Sequence, residues 1–332
     1  MKFISNHNIS RIQWIDLLNS NNFASPFQSP DYFDLLNSIE PNSAFVLAVV
    51  EGKKLLALVV VNLQKEQGIS GFFSRRAIVY GGPLIETSEY GMKAFPILLR
   101  GLQELLRGKS IYCEIRNNFD FSLFKNIYKA EKWKYEPHLN VQIQITGKTQ
   151  AEILSEMKYA RRREIRLATE AGVQVRQTSN EEEIQAFFSI LYKLYKKKIK
   201  LPLPSFNYFK TVFLHPPGIT FIVEYQGQIK GGAFCLYSPQ GSIYTLYYAG
   251  LRDNKIFPTT FAVYGAIEFA IKQKLTSIDL MGAGKPGLNY GVRDFKMEFG
   301  GNLVEFGRYR KILNPVLYNV GESGLKILQK FG

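Results

Sequence analysis

The chain has 332 residues, about twice the size of one compact domain, so two domains or one duplicated unit is expected. Hydrophobic residues at 46% and aromatics at 14% exclude a largely disordered chain. Lys and Arg total 42 against 28 acidic residues, and the net charge of +14 favours anionic partners such as RNA, phosphorylated substrates or a membrane surface, with solubility alone as the simpler alternative.

In chain order, the N-terminus turns polar at Ser5, Asn6 and His7, too early for a signal peptide, and a cytoplasmic location is expected. Strands over 45–50 and 55–62 flank a tight turn at Gly52, forming a hairpin. The second of them lies in the longest apolar stretch, 55–63, which falls well short of the ~20 residues a membrane span needs. A loop over 68–74 leads to a strand over 77–80. A helix over 91–106 follows, with Phe95, Leu98, Leu99, Leu102 and Leu105 on one stripe, and a strand over 111–115 closes the unit. The second half repeats this order: strands over 220–225, 229–237 and 242–249, a helix over 259–274 with Phe261, Tyr264, Ile267, Ile271 and Leu275 at helical spacing, then a strand over 277–280. Two copies of hairpin, strand, helix and strand imply a duplicated α/β (α+β) protein with two mixed sheets and flanking helices, divided into 1–148 and 149–332.

Between the repeats, a helix over 150–171 starts at a Thr149/Glu152 capping box and ends at Gly172, and another is expected over 181–198. Lys158, Arg162 and Arg166 share one face of the first, a row suited to phosphates or to plain solvation. Arg161 falls in the apolar stripe with Leu154, Met157 and Ile165 and is expected to point toward protein. Cys113 and Cys235, each in an apolar strand-like run, read as buried small hydrophobes.

The usual nucleophile-elbow, P-loop, dinucleotide and zinc-protease motifs are missing, and His7, His138 and His215 lack metal-ligand spacing, so no metal is expected. The most informative segment is 279–301, a strand running into a loop with Gly282, Gly284, Gly287 and Gly291, then a basic-aromatic stretch with Tyr290, Arg293, Phe295 and Lys296. Such a loop lets backbone approach a ligand and present N–H donors.

These pieces resemble the FemABX family of peptidoglycan-bridge aminoacyltransferases, within the GNAT-like acyltransferases. The resemblance is carried in order by Pro26-Phe27-Gln28-Ser29-Pro30-Asp31-Tyr32, Arg162-Arg163-Glu164-Ile165-Arg166-Leu167-Ala168 with Gly172-Val173, Gln228-Ile229-Lys230-Gly231-Gly232-Ala233, Tyr247-Tyr248-Ala249-Gly250, and Asp279-Leu280-Met281-Gly282 leading to Phe295-Lys296-Met297-Glu298-Phe299-Gly300. It implies a duplicated GNAT-like fold whose C-terminal domain holds the active site. It further implies acyl transfer to an amine, with aminoacyl-tRNA as donor, a lipid-linked or nucleotide-linked muropeptide as acceptor, peripheral contact with the inner membrane surface, and no cofactor. No long helical hairpin is inserted in the second half, so tRNA docking by such an arm is not expected.

Lys296 matches the lysine of the family's Phe-Lys motif and is the candidate oxyanion donor; a surface pairing with Asp294 or Glu298 is the alternative. Asp279 is expected to accept the amine proton, to orient Lys296, or simply to cap the glycine loop. Tyr248 and Tyr290 are candidates for aligning the acceptor, with core packing as the alternative. The resemblance puts a donor pyrophosphate at the helix start Thr259-Thr260. The coenzyme A signature is absent from 251–258, which disfavours that thioester. Gly282, Gly284, Arg161, Arg162, Arg166, Arg293 and Phe295 complete the candidate substrate-binding set. Competing readings are an acyl-CoA or acyl-carrier N-acyltransferase acting on an amino sugar, and a non-catalytic module that binds RNA or anionic lipid.

Overall fold

A computed structural model describes residues 1–40, 43–65, 71, 74–239 and 241–321. Of the expected loop over 68–74, only 71 and 74 fall among them. The chain forms two compact units, Met1–Pro137 with Phe306–Gly332, and His138–Glu305.

The first unit is built on strands β1 (Lys2–Ser5), β2 (Ala44–Glu51), β3 (Lys54–Gln64), β4 (Arg76–Gly81), β5 (Leu84–Ile85), β6 (Tyr112–Asn117) and β7 (Lys134–Glu136). The second takes β8 (Leu139–Gln144), β9 (Gln174–Thr178), β10 (Gly218–Tyr225), β11 (Gln228–Tyr237), β12 (Ser242–Gly250), β13 (Ser277–Gly282) and β14 (Asn302–Glu305), and β15 (Arg308–Ile312) returns to the first. The sheet orders are β1-β2-β3-β4-β6-β15-β7, with β5 beside β3, and β9-β10-β11-β12-β13-β8-β14.

Alternation sets the packing in the first unit. Leu47 and Val49 of β2 face the helix Glu89–Leu106, while Val46, Ala48 and Val50 face a second core with Trp14 and Leu17. In the second unit the helix Pro258–Lys272 is buried along Phe261, Ala262, Val263, Ala266 and Ile267 against one face of the sheet. The helix Glu181–Leu194 covers the other face, its Phe187 ring 4.6 Å from Phe234.

The two sheets have the same plan, and each takes its sixth strand from the other half of the sequence. β8 pairs with β13 and β14, and β15 pairs with β6 and β7. The division therefore departs from the expected 1–148 and 149–332: residues 138–148 belong to the second unit, and the chain from Phe306 belongs to the first. A local reading assigns a strand to its sequence neighbours, whereas these two strands are claimed by distant backbone partners.

The helix expected over 150–171 is two helices, Gln150–Glu156 and Tyr159–Glu170. Met157 between them is extended (φ −69, ψ 150) and only 2% exposed, and the Lys158 N–H donates to Glu298 O. Burial of Met157 and this tertiary bond replace a helical turn. The capping box at Thr149 and the left-handed Gly172 occur as expected. The helix from Glu181 ends at Leu194 and widens into a π turn, Tyr195–Ile199, where 181–198 was expected to be one helix.

The equivalent parallel pairs differ in one respect. β4 and β6 pair over six rungs, Arg76 with Tyr112 through Gly81 with Asn117. β12 and β13 pair only from Ser242 with Ser277 to Tyr244 with Asp279, and then separate. A bulge in β12, where Phe234 faces Tyr247 and Cys235 faces Thr245, turns the strand away. The resulting split is a feature of the second unit.

Candidate active site

Asp279 stands on the last paired rung, 0% exposed. Its carboxylate accepts from Asn140 Nδ2 at 3.1 and 3.2 Å, from Gln142 Nε2 at 3.1 Å and from the Met281 N–H at 2.6 Å. These contacts occupy about four lone-pair positions, all that a carboxylate has. Burial pushes its pKa up; the bonds from Asn140 and Gln142 oppose that shift.

Met281 has φ +61, a left-handed conformation that costs a side-chain-bearing residue of order 1–3 kcal/mol and persists only where the surroundings fix it. Asp279 holds its N–H, and Lys296 donates to its carbonyl at 3.2 Å. Lys296 Nζ also donates to Gly282 O at 2.8 Å. The side chain comes from the short helix Gly291–Met297 and is 5% exposed, so the alternative of a surface pairing with Asp294 or Glu298 does not hold. Burial, partly offset by Asp279, brings the ammonium pKa down to about 8.

The Lys296 ammonium lies 5.9 Å from the Tyr248 ring centroid, on the strand across the split. Tyr248 stacks on Phe295 with centroids 6.1 Å apart, and burial holds its phenol above the usual range. Arg161 lies 5.0 Å over the other partner, the Phe295 ring. It points into protein as expected, donating to Thr260 Oγ1 at 2.7 Å and pairing with Glu164 at 2.6 Å. Its Nε lies 2.9 Å from a Glu298 oxygen without hydrogen-bond alignment, an ion pair only.

The structure thus gathers Asp279, Gly282, Lys296, Tyr248, Phe295 and Arg161. The remaining candidates are occupied differently. Arg162 donates to Ser155 O and Met157 O, closing the end of the preceding helix, and Arg166 forms an exposed pair with Glu170 at 2.7 Å, so both arginines of a row suited to phosphates or to plain solvation already have protein partners. The helix break at Met157 also takes Lys158 out of that row. Thr260 Oγ1 accepts from Arg161 and donates to Glu164, leaving the Pro258–Lys272 helix to open at Phe257 without a side-chain cap. That start lies close to β12: a Cβ on Gly250 would meet Thr259 N at 2.6 Å.

Arg293 donates to the carbonyls of Ala283, Leu288 and Lys285 and so fastens the glycine loop from within. Gly284 needs its φ of +78, and a Cβ there would press the Tyr290 ring at 3.1 Å. Removing the guanidinium frees three carbonyls, so Arg293→Ala is expected to speed amide hydrogen exchange across 283–288 at least tenfold, an opening of more than about 1.4 kcal/mol, read by mass spectrometry. Unchanged exchange would contradict the fastening role.

Sequence reasoning missed Asn140, Gln142 and Met281. The alternation of Asn140, Gln142 and Gln144 with the buried Val141, Ile143 and Ile145 was visible, but the strand register that aims the amides at Asp279 was not.

Residues 123–214 match the model of the FemAB family, a stretch that contains Asn140, Gln142 and Arg161 and ends before Lys296. No curated protein matches the chain in sequence. In fold it is similar to the crystal structure of FemX, with TM-score 0.73 and 15% identity over 96% of this chain and 99% of that one. It is also similar to the C-terminal domain of a putative lysylphosphatidylglycerol synthetase from Agrobacterium fabrum, with TM-score 0.59 and 12% identity over 96% of each. A tandem GNAT protein from the clavulanic acid biosynthesis pathway gives TM-score 0.54 and 10% identity over 95% of this chain and 99% of that one. At these identities the likeness concerns the fold, here the duplicated GNAT-like one. The chain is thus similar to the FemAB family over residues 123–214 and, over nearly its whole length, shares the fold of these structures.

Proposed function

We propose that the chain transfers an aminoacyl group from an aminoacyl-tRNA to the amine of a peptidoglycan precursor peptide, at the strand split of the second unit. The observation that carries this reading is Lys296, a buried ammonium with two of its three N–H groups on Met281 O and Gly282 O. The third is available to an oxygen that gains charge in the split. In the reaction the acceptor amine attacks the ester carbonyl of the donor, an amide bond forms, the ester bond to the ribose breaks, and the amine proton leaves with the ribose oxygen. Lys296 stabilises the oxyanion of the tetrahedral intermediate, where a preorganised donor in a dry site is most effective. Asp279, with no free lone pair and no exposed surface, acts through the Met281 carbonyl as a positioning residue. Arg161 holds Phe295 against Tyr248 in the same supporting sense, and Tyr248 is assigned to align the acceptor.

The charge of +14 suits two polyanionic substrates. A reaction on the cytoplasmic side of the membrane follows from the donor, and a peripheral membrane contact follows from a lipid-linked acceptor. Among the described residues no helix is long and apolar enough to cross a membrane.

The test incubates the protein with charged tRNAs and lipid-linked muropeptide, with a parallel acyl-CoA arm, and reads acceptor mass. An RNase-sensitive amino-acid increment is expected. An increment only with acyl-CoA would replace the donor, and none in either arm would overturn the reading.

A further inference from the structure

The π turn Tyr195–Ile199 ends in Lys200 at φ +54, a wide, left-handed finish to a helix that leaves a run of side chains pointing outward. Lys193, Lys196, Lys197, Lys198 and Lys200 are exposed, and among them Tyr192, Ile199 and Leu201 are 49%, 39% and 61% exposed. From 184 to 223 the chain has six lysines and no acidic residue. Lys210 pairs with Glu181, whereas Lys193, Lys196, Lys197 and Lys198 have no carboxylate within ion-pair distance among the described residues. Ordinary surfaces mix the two signs and hide isoleucine and leucine.

This segment borders the catalytic split. Tyr195, at its inner end, lies 6.2 Å from Tyr247 by ring centroids, next in sequence to Tyr248, and burial, with Tyr290 close enough to add to it, raises the Tyr195 phenol's pKa. Tyr290 is itself half exposed, between the exposed Leu288 and Val292 on the glycine loop. The lysine-rich turn and the glycine loop thus each bring a tyrosine, Tyr195 and Tyr290, near Tyr248.

We propose that residues 192–201, with Leu288 and Val292 beside them, dock the catalytic unit on an anionic lipid bilayer, so that the split opens toward the headgroups. Lysines alone would serve RNA equally well. Exposed Ile199 and Leu201 among them favour lipid, because they gain from insertion at the acyl boundary and have no counterpart on a phosphate backbone. The inference rests on the aminoacyl-transfer reading for its purpose, a membrane-borne acceptor, but its readout needs no transfer.

The experiment uses the full chain with phosphatidylcholine vesicles, with and without phosphatidylglycerol, in a sedimentation assay at low and high salt. Binding is expected only with phosphatidylglycerol and is expected to fall at high salt. The triple variant Lys196→Gln, Lys197→Gln, Lys198→Gln should bind about a hundredfold more weakly, from ~1 kcal/mol per lysine. The pair Ile199→Ser, Leu201→Ser should bind about tenfold more weakly with its salt dependence kept. Circular dichroism is expected to be unchanged in both. Equal binding by all three proteins, or lysine variants that lose tRNA binding while keeping vesicle binding, overturns the proposal. Vesicle binding without aminoacyl transfer overturns the transfer reading alone, and transfer to a soluble acceptor without vesicle binding overturns this proposal alone.

Discussion

Lys296→Met is expected to lower kcat about 10² to 10³-fold with the fold intact, the usual cost of removing one preorganised oxyanion donor. Methionine matches the length and apolar stem of lysine but donates nothing, so the loss falls on the developing charge rather than on packing. The pH dependence separates an ammonium from a base at this position. With the pKa lowered to about 8, an ammonium donor makes kcat/KM fall as pH rises past about 8, and a general base would make it rise. Stability carries the opposite sign. Between about 8 and the ordinary lysine value of 10.5 the unfolded chain binds more protons than the folded one, so stability rises with pH across that window, and the burial penalty is fully present below it. In Lys296→Met this rise should disappear. Urea titrations at several pH values, beside single-turnover rates, check both. A variant with wild-type kcat would remove Lys296 from the chemistry.

The elements of the fold were legible where one residue's environment is set by its near neighbours. Strands such as β2 and β11 alternate or run apolar, the Glu89–Leu106 stripe has helical spacing, and Thr149 with Glu152 marks a helix start. The repeat showed because the same local pattern recurs. What was not legible depends on distant pairing: the exchange of β8 and β15, which moved the domain boundary, and the amides of Asn140 and Gln142, which become partners of Asp279 only through the register of β8 on β13. The arginines are a different case, because the partners of Arg162, Arg166 and Arg293 lie no more than ten residues away. Arg162, Arg166 and Arg293 look alike as surface cations in sequence, yet they serve, respectively, helix-end carbonyls, Glu170 and the glycine loop. Asp279 and Lys296 both stood out in the sequence because a strand end, a glycine loop and a Phe-Lys stretch follow one another in the chain, and in the structure both bind the backbone of Met281.

The repeat also aligns two buried carboxylates, and their contrast yields the second large effect. Glu114 stands opposite Ile78 on the third rung of β4 and β6, as Asp279 stands opposite Tyr244 on the third rung of β12 and β13. Across the exchanged strand, Glu114 faces Arg310 where Asp279 faces Gln142. In the first unit, therefore, guanidinium groups replace the amides: Arg116 Nε at 2.7 Å, Arg308 at 3.1 Å, and Arg310 through two nitrogens. Burial raises the Glu114 pKa, but the charges of Arg116 and Arg308 and the bonds from Arg310 and Arg116 outweigh it, bringing it to about 2. A depressed carboxyl pKa contributes stability above its ordinary value of 4.5, and that contribution is lost as pH falls from there through about 2. Glu114→Gln leaves three arginines around a neutral side chain, with Glu136 pairing only Arg310 among the described residues. Breaking a buried ion cluster from one side costs about 3–5 kcal/mol, so the variant should unfold at markedly lower urea at pH 7, and its deficit should shrink as the pH falls toward 2. A deficit under 1 kcal/mol, within the range of an exposed salt bridge, would mean that water and not Glu114 neutralises these arginines. Because β15 comes from the end of the chain and supplies two of the three, the same measurement reports how firmly the exchanged strand is held in the first unit.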